Sequence, residues 1–157
     1  MKHTLSVLVE NKPGVLTRVA GLFARRGFNI DSLAVGESED PRLSRITITI
    51  DGEQHPMDQV TKQLHKLINV VKIRDLEPQN MVAAELLLVK VSAEGDKRSE
   101  ILQIAEIFKA KIVDVDRRAV TLRVVGTNDK LEALIALLKP FGVLEIVRTG
   151  TIAIARG

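Results

Sequence analysis

Leu5, Val7 and Val9 alternate with Thr4, Ser6 and Leu8, the period of a strand with one well-buried face. Asn11-Lys12-Pro13-Gly14 breaks the alternation. Val15, Val19, Leu22 and Phe23 then recur at the spacing of an amphipathic helix. Pro13 suits a first helical turn, where a missing N–H costs nothing, and Arg25-Arg26-Gly27 sets positive charge and a glycine cap at the helix end. The pattern predicts a second strand over 28–35, a polar turn over 36–42, and a third strand where Ile46, Ile48 and Ile50 alternate with Thr47 and Thr49. After the Asp51-Gly52 turn, Val60, Leu64, Leu67 and Ile68 stripe a second helix. Val70, Val71 and Ile73 form a short fourth strand closing near Leu76.

The order is βαββαβ, and beyond the breaker Glu77-Pro78-Gln79-Asn80 it repeats. A strand over 85–93 leads to a helix striped by Ile101, Ile104, Ala105 and Phe108. Strands over 111–116 and 119–125, a helix striped by Leu131, Leu134, Ile135 and Leu138, and a strand over 143–147 follow, with a short apolar tail over 151–155. Val7 and Val9 correspond to Val89 and Val91, 82 residues later, and Phe23 to Phe108, 85 residues later. One such repeat means two domains of one architecture. The fold class is therefore α+β, two tandem ferredoxin-like βαββαβ domains over 1–77 and 78–157, each an antiparallel sheet with both helices on one face. The other face needs solvent or a cover. Leu8 shares a side with Thr4 and Ser6, and Leu86, Leu87, Leu88 and Val89 are consecutive, so a homo-oligomer that covers sheet faces or edges is expected.

Composition narrows the chemistry. The 157 residues contain no cysteine, which removes disulfides, thiolate nucleophiles and thiolate metal sites. The aromatics are four Phe, too few for the stacking platforms of single-stranded nucleic-acid binders. Net charge is +3 and is spread evenly, 11 basic and 9 acidic residues over 1–76 against 12 and 11 over 77–157, with no basic block beyond pairs such as Arg25-Arg26. That distribution is a solvated surface and predicts no nucleic-acid partner. No apolar run approaches the ~20 residues of a membrane span, and no signal-peptide core follows Met1, so no membrane partner and a cytoplasmic location are expected. His3, His55 and His65 share no metal-ligand spacing, Asp114 and Asp116 read as solvated strand carboxylates, and Glu37, Glu39 and Asp40 form an acidic turn. No metal site is expected, and no nucleophile elbow, Walker loop or dinucleotide fingerprint occurs, so no catalytic residue is assigned.

One segment stands out. A strand ends at Glu10, and after Asn11-Lys12-Pro13-Gly14 a helix opens at Val15. Free amides at a helix start suit a carboxylate or phosphate, and Gly14 allows close backbone approach. Asn29 and Ile30, at the head of the next strand, can lie beside that helix start or beside its dimer mate, and an amide with main-chain carbonyls suits an ammonium group. By spacing alone the loop is also an ordinary strand–turn–helix joint.

The run Val9-Glu10-Asn11-Lys12-Pro13-Gly14-Val15-Leu16-Thr17-Arg18-Val19, followed by Phe23-Ala24-Arg25-Arg26-Gly27-Phe28-Asn29-Ile30-Asp31-Ser32-Leu33, resembles the ACT domain of acetohydroxyacid synthase regulatory subunits. Ser44-Arg45-Ile46-Thr47-Ile48 and Gln63-Leu64-His65-Lys66-Leu67 extend the likeness, and weaker matches run to Arg156-Gly157. The resemblance implies a non-catalytic chain that activates a separate catalytic (large) subunit holding thiamine diphosphate, FAD and Mg2+, and no cofactor in this chain. It implies an eight-stranded sheet across two ACT domains, a homodimer, with valine or another branched-chain amino acid bound at the interface as feedback inhibitor. Carried over by position, Asn11, Gly14, Val15 and Leu16 form one wall of the effector site, and Asn29, Ile30 and Asp31 of the neighbouring protomer form the other. The second half has Ala93-Glu94-Gly95-Asp96 in place of the Asn-Lys-Pro-Gly element, and its acidic residues disfavour a carboxylate ligand. The effector is therefore expected only in the first domain. Two other readings compete: a free-standing amino-acid sensor with another target, and a small acylphosphatase-like enzyme, for which Arg18 lies a turn too deep in its helix.

Overall fold

The computed structural model describes residues 2–53 and 56–157; His55 lies outside them. The chain forms two compact units, one of residues up to Val82 together with Thr151–Gly157, the other Ala83–Gly150. In the first unit, β1 (Lys2–Glu10), α1 (Val15–Arg25), β2 (Ile30–Glu37), β3 (Leu43–Asp51), α2 (Met57–His65) and β4 (Val70–Leu76) follow one another. The strands form an antiparallel sheet in the order β2-β3-β1-β4. Alternation decides which face meets the helices. Leu5, Val7 and Val9 of β1 and Ile46, Ile48 and Ile50 of β3 are buried against Val15, Val19, Leu22 and Phe23 of α1 and Val60 and Leu64 of α2.

The second unit repeats this with β5 (Met81–Ser92), α3 (Lys97–Ile107), β6 (Lys111–Val115), β7 (Ala119–Gly126), α4 (Asn128–Leu138) and β8 (Val143–Arg148), in the order β6-β7-β5-β8. Its core joins Leu87, Val89 and Val91 to Val120, Leu122, Val124, Ile101, Ala105, Leu131, Leu134 and Leu138. The α+β class and the doubled βαββαβ order are as the hydrophobic pattern predicts. The last strand, β9 (Ile152–Ala155), pairs with β5 off that path.

Five sequence expectations change. The tail over 151–157 belongs to the first unit, although an apolar run after β8 offers no sign of which sheet it returns to. Pro13 lies before the helix rather than in its first turn, because Gly14 is the N-cap at φ 84°, a left-handed conformation open to glycine. Phe28 precedes β2 and turns its ring edge-on to Phe23, with centroids 5.8 Å apart. Ile68 lies beyond the end of α2 and is 90% exposed. The repeat also runs at one offset: α1 and α3 have the same length and start 82 residues apart, so Phe23 corresponds to Ala105 and not to Phe108. Both helices close with the same bonds, Phe28 N–H to the Phe23 carbonyl at 2.9 Å and Ala110 N–H to the Ala105 carbonyl at 2.8 Å.

Candidate functional site

The loop between β1 and α1 is held from two sides. Asn11 binds the β2–β3 turn, its N–H donating to the Arg42 carbonyl at 2.8 Å and its Nδ2 to the Pro41 carbonyl at 3.0 Å. That turn is itself closed, with Arg42 clasping Asp40 through Nε at 3.1 Å and Nη2 at 2.9 Å, and Arg45 facing Glu39 at 3.5 Å. The carboxyl of Asp40 lies below its ordinary range because Arg42 bonds it through side chain and backbone. The acidic turn is thus answered by its own arginines.

On the other side, Glu10 N–H donates to the Asn69 carbonyl at 2.9 Å, and Asn69 Nδ2 donates back to Glu10 Oε1 at 3.0 Å. Arg18 of α1 donates to Asn69 Oδ1 at 2.6 Å, and Lys12 pairs with Glu10 at 2.9 Å. Lys12, then Asn69, hold the Glu10 carboxyl below its ordinary range. Asn69 is 8% exposed and joins β1, α1 and the start of β4. Sequence reasoning missed it. Its only signal was an asparagine between a helix and a strand, which a turn explains equally well. Arg18 is committed to this network, which leaves the acylphosphatase-like reading without its arginine.

Between these anchors the helix start is open. Gly14 has no side chain to cap α1, and no acidic residue stands in the first turn. The N–H groups of Gly14, Leu16 and Thr17 have no hydrogen-bond partner among the described residues, while Val15 N–H reaches the Lys12 carbonyl at 3.4 Å and Arg18 N–H the Gly14 carbonyl at 3.1 Å. A Cβ built on Gly14 would meet nothing within 4 Å. Asn11, Gly14 and Leu16 are exposed, Leu16 by 42%, whereas Val15 is buried in the core. Val15 thus packs the helix against the sheet and offers the loop its backbone only.

Asn29, Ile30 and Asp31 lie elsewhere. Ile30 stands level with Ile50 and, through it, with His3, while Glu37 stands level with Ser44 and Val9. The head of β2 is therefore at the opposite end of the sheet from the 11–14 loop. Within one chain the two walls do not meet, which removes the same-chain alternative left open by the spacing. A register shift between Ile30 and Ser32 makes Asp31 the extra residue of a bulge, and Lys2 approaches its carboxylate at 4.0 Å. β2 is the edge strand, so this wall borders an unpaired backbone edge.

Known proteins match over the whole chain. The family described as small subunit of acetolactate synthase matches residues 84–157, and the family described as the AHAS small subunit-like ACT domain matches residues 5–72. The acetolactate synthase small subunit of Mycobacterium leprae is 52% identical over 155 residues, covering 99% of this chain and 92% of that protein. This chain belongs to the acetolactate synthase small-subunit family. A probable small subunit from Methanothermobacter thermautotrophicus is 53% identical, covering 99% of this chain and 93% of its own. The crystal structure of the small subunit from Thermotoga maritima superposes with a TM-score of 0.91 at 47% identity, covering 100% of this chain and 98% of that one. Family membership makes this a regulatory type of chain with a catalytic subunit as its implied partner, and it identifies the first unit as an ACT domain. Among the described residues, no helix is long and apolar enough to cross a membrane.

Proposed function

We propose that this chain activates a separate acetolactate synthase catalytic subunit and makes it sensitive to feedback inhibition by valine or a related branched-chain amino acid. The thiamine diphosphate, FAD and Mg2+ of the reaction belong to that other chain, in the same cytosolic complex. The observation that carries the reading is the uncapped start of α1, where the N–H groups of Gly14, Leu16 and Thr17 have no partner among the described residues. Such amides, at the positive end of a helix, favour a carboxylate.

An amino acid needs a second wall for its ammonium group, and the edge position of β2 offers one. Suppose β2 pairs antiparallel with its copy in a second protomer, about Leu33 and Ala34. The partner's Ile30 then stands opposite Glu37, the end of β2 that is level with Val9 and closest in the sheet to the 11–14 loop. The partner's Asn29, Ile30 and Asp31 would supply main-chain carbonyls, an amide and a carboxylate, and the exposed Leu16 an apolar contact. The same pairing removes an exposed sheet edge. A site built this way exists only in the homodimer.

The test is reconstitution with the catalytic subunit, assayed with and without L-valine, alongside thermal melts of the regulatory chain. L-valine at a hundredfold excess over its dissociation constant should raise stability by about 2.7 kcal/mol. D-valine and isobutyrate, which lack a correctly placed ammonium, should do far less. Equal shifts from all three, or a chain that stays monomeric at micromolar concentration, would overturn the reading.

A further inference from the structure

The edge strands that occupy matching places in the two units differ in what they expose. β6 stands at the end of the order β6-β7-β5-β8, as β2 stands at the end of its own sheet. Both carry a bulge at the same place. The extra residue is Asp31 in β2 and, 82 residues later, Val113 in β6, between Ile112 and Asp114. Charged residues blunt an edge strand against pairing, and β6 puts an apolar side chain at its bulge where β2 has a carboxylate. Every residue of β6 is exposed, Val115 by 59%. Ile112, Val113 and Val115 thus line an unpaired backbone edge, a surface that another strand would cover.

The ladder with β7 fixes which backbone groups of β6 point outward. Asp116 N–H donates to the Ala119 carbonyl at 2.8 Å, so this pair faces inward, and in an antiparallel ladder the next residue turns its N–H and C=O away. That residue is Val115, level with Val120. Ile112 is level with Leu122, two residues from Val120 on β7, and turns outward as well. The side chains divide too. Ile112 and Val115 lie on the helix side with the core residues Leu122 and Val120, whereas Lys111 and Asp116 project from the other face. Lys111 stands level with Arg123, two cations side by side. Neither Lys111 nor Asp116 forms an ion pair among the described residues.

We propose that β6 is a second self-association edge, which pairs antiparallel with β6 of another copy of this chain about a two-fold axis between Val113 and Asp114. In that register Ile112 faces the partner's Val115, and both turn their backbone groups outward, so main-chain hydrogen bonds form between them. Lys111 faces the partner's Asp116 at a position without such bonds, where side chains approach most closely. By symmetry each pairing occurs twice. Setting Val115 against its own copy would instead bring Asp114 and Asp116 together as like charges. The occupant is a second copy because the edge carries both halves of its own complement, apolar against apolar on one face and cation against carboxylate on the other. This contact is independent of the effector reading and of the pairing of β2.

The experiment follows hydrogen exchange over 110–116 in the full-length chain, at concentrations where sedimentation shows it assembled and where dilution leaves it monomeric. In the assembled parent the Ile112 and Val115 amides should be protected, and in the monomer they should exchange freely. Lys111→Asp sets carboxylate against carboxylate across the axis, and Asp116→Lys sets cation against cation. Each should speed exchange of these amides about tenfold or more at equal concentration. The double variant, Lys111→Asp with Asp116→Lys, restores opposite charges and should return exchange to within about threefold of the parent. Protection of Leu122 and Val124, level with Val89 and Leu87 of β5, should stay the same throughout and reports a folded unit. Should a charge variant lose that protection, Ile112→Pro, which removes an outward N–H, takes its place. Free exchange of the two amides in the assembled parent overturns the proposal, as does protection that persists in the monomer or a chain that never assembles. A double variant that exchanges as fast as the single ones overturns the self-pairing and assigns the edge to a strand of another protein.

Discussion

The two units share one chain path and differ where their first helix begins. With the constant 82-residue offset, Asn11-Lys12-Pro13-Gly14-Val15-Leu16 aligns with Ala93-Glu94-Gly95-Asp96-Lys97-Arg98. The scaffold bond is kept, since Ala93 N–H donates to the Arg118 carbonyl at 2.8 Å as Asn11 N–H does to Arg42. What changes is occupancy. In place of exposed Leu16 the second unit has Arg98, whose guanidinium donates to the Ala93 carbonyl at 3.3 Å, Asp116 at 2.6 Å and Arg117 at 2.9 Å. Glu94 faces Arg118 at 3.8 Å, and Asp96 occupies the N-cap position. The same loop geometry is thus left open in one unit and filled by the protein's own side chains in the other. Duplication preserved the fold, and six positions decide whether the joint has room for a ligand.

The largest way to break that difference is to give the first loop the acid of the second. Gly14→Asp creates the N-cap of α3 at the start of α1. A carboxylate there meets the effector carboxylate at ~4 Å, a repulsion of about 4 kcal/mol at an effective dielectric near 20, enough to weaken binding by orders of magnitude. The left-handed φ of 84° makes any side chain costly by roughly 1–2 kcal/mol, partly offset by the capping preference of Asp and its favourable charge at the helix start. The variant should fold, activate the catalytic subunit and ignore valine. Full valine inhibition in the assay would show the site to be elsewhere, and loss of activation would show that the two roles share residues.

The next difference lies in the core. Phe23 is 1% exposed and packs on Phe28, whereas the equivalent positions of the second unit are Ala105 and Ala110. Phe23→Ala should cost about 3 kcal/mol or more in denaturant unfolding of the first unit, because a large cavity opens under α1. Hydrogen exchange should show that loss in α1 and β1, with the second core keeping its protection. A loss spread evenly over both units would mean that they unfold as one.

Much of this contrast was legible in the sequence. The buried residues of α1 are the four that the helical stripe names, and those of α4 are likewise the four predicted from spacing. Alternation in β1 and β3 named the core face without help. What escaped notice depends on distance in space. Asn69 reaches Glu10 and Arg18 across 59 and 51 positions of sequence, and no local pattern records that. The tail returns to the first unit through hydrogen bonds to Ser32 and Asn80, which periodicity cannot assign to either sheet. Phe108 drew the repeat out of register because a matching aromatic outweighed the alanine that occupies the equivalent site. Of the site itself, the loop residues were readable as a joint, but the separation of its two walls to opposite ends of the sheet follows only from strand register.

A smaller effect tests the Asn69 network beside the first loop. Asn69→Ala removes a buried side chain with two hydrogen bonds and should cost about 1–2 kcal/mol. It should also raise the Glu10 titration midpoint seen by NMR toward the ordinary 4.5, while Lys12 still holds it somewhat below. The sign follows from linkage. A carboxylate with a lowered folded value contributes stability above the unfolded value and loses it as pH falls through the folded one. The contribution of Glu10 should therefore disappear only in acid, below 4.5, and the variant should lose less there than the parent. An unchanged midpoint would mean that Lys12 alone sets it.

The smallest difference is one of backbone conformation, at the other end of the same two helices. Each closes with a residue in the left-handed region, Gly27 at φ 70° after α1 and Lys109 at φ 56° after α3. The hydrogen bonds around them match, yet the first unit uses the residue without a Cβ and the second a lysine. A left-handed L-residue costs roughly 1–2 kcal/mol, and glycine returns part of that gain through the greater freedom of its unfolded chain. Lys109→Gly should therefore stabilise the second unit by about 0.5–1 kcal/mol, and Gly27→Lys should destabilise the first by a similar amount. Denaturant midpoints of the two variants, moving in opposite directions, would establish that the caps are equivalent. If Lys109→Gly gave no gain, the lysine side chain would have to contribute a compensating interaction at the end of α3, and the two helix ends would differ in more than the cost of a Cβ.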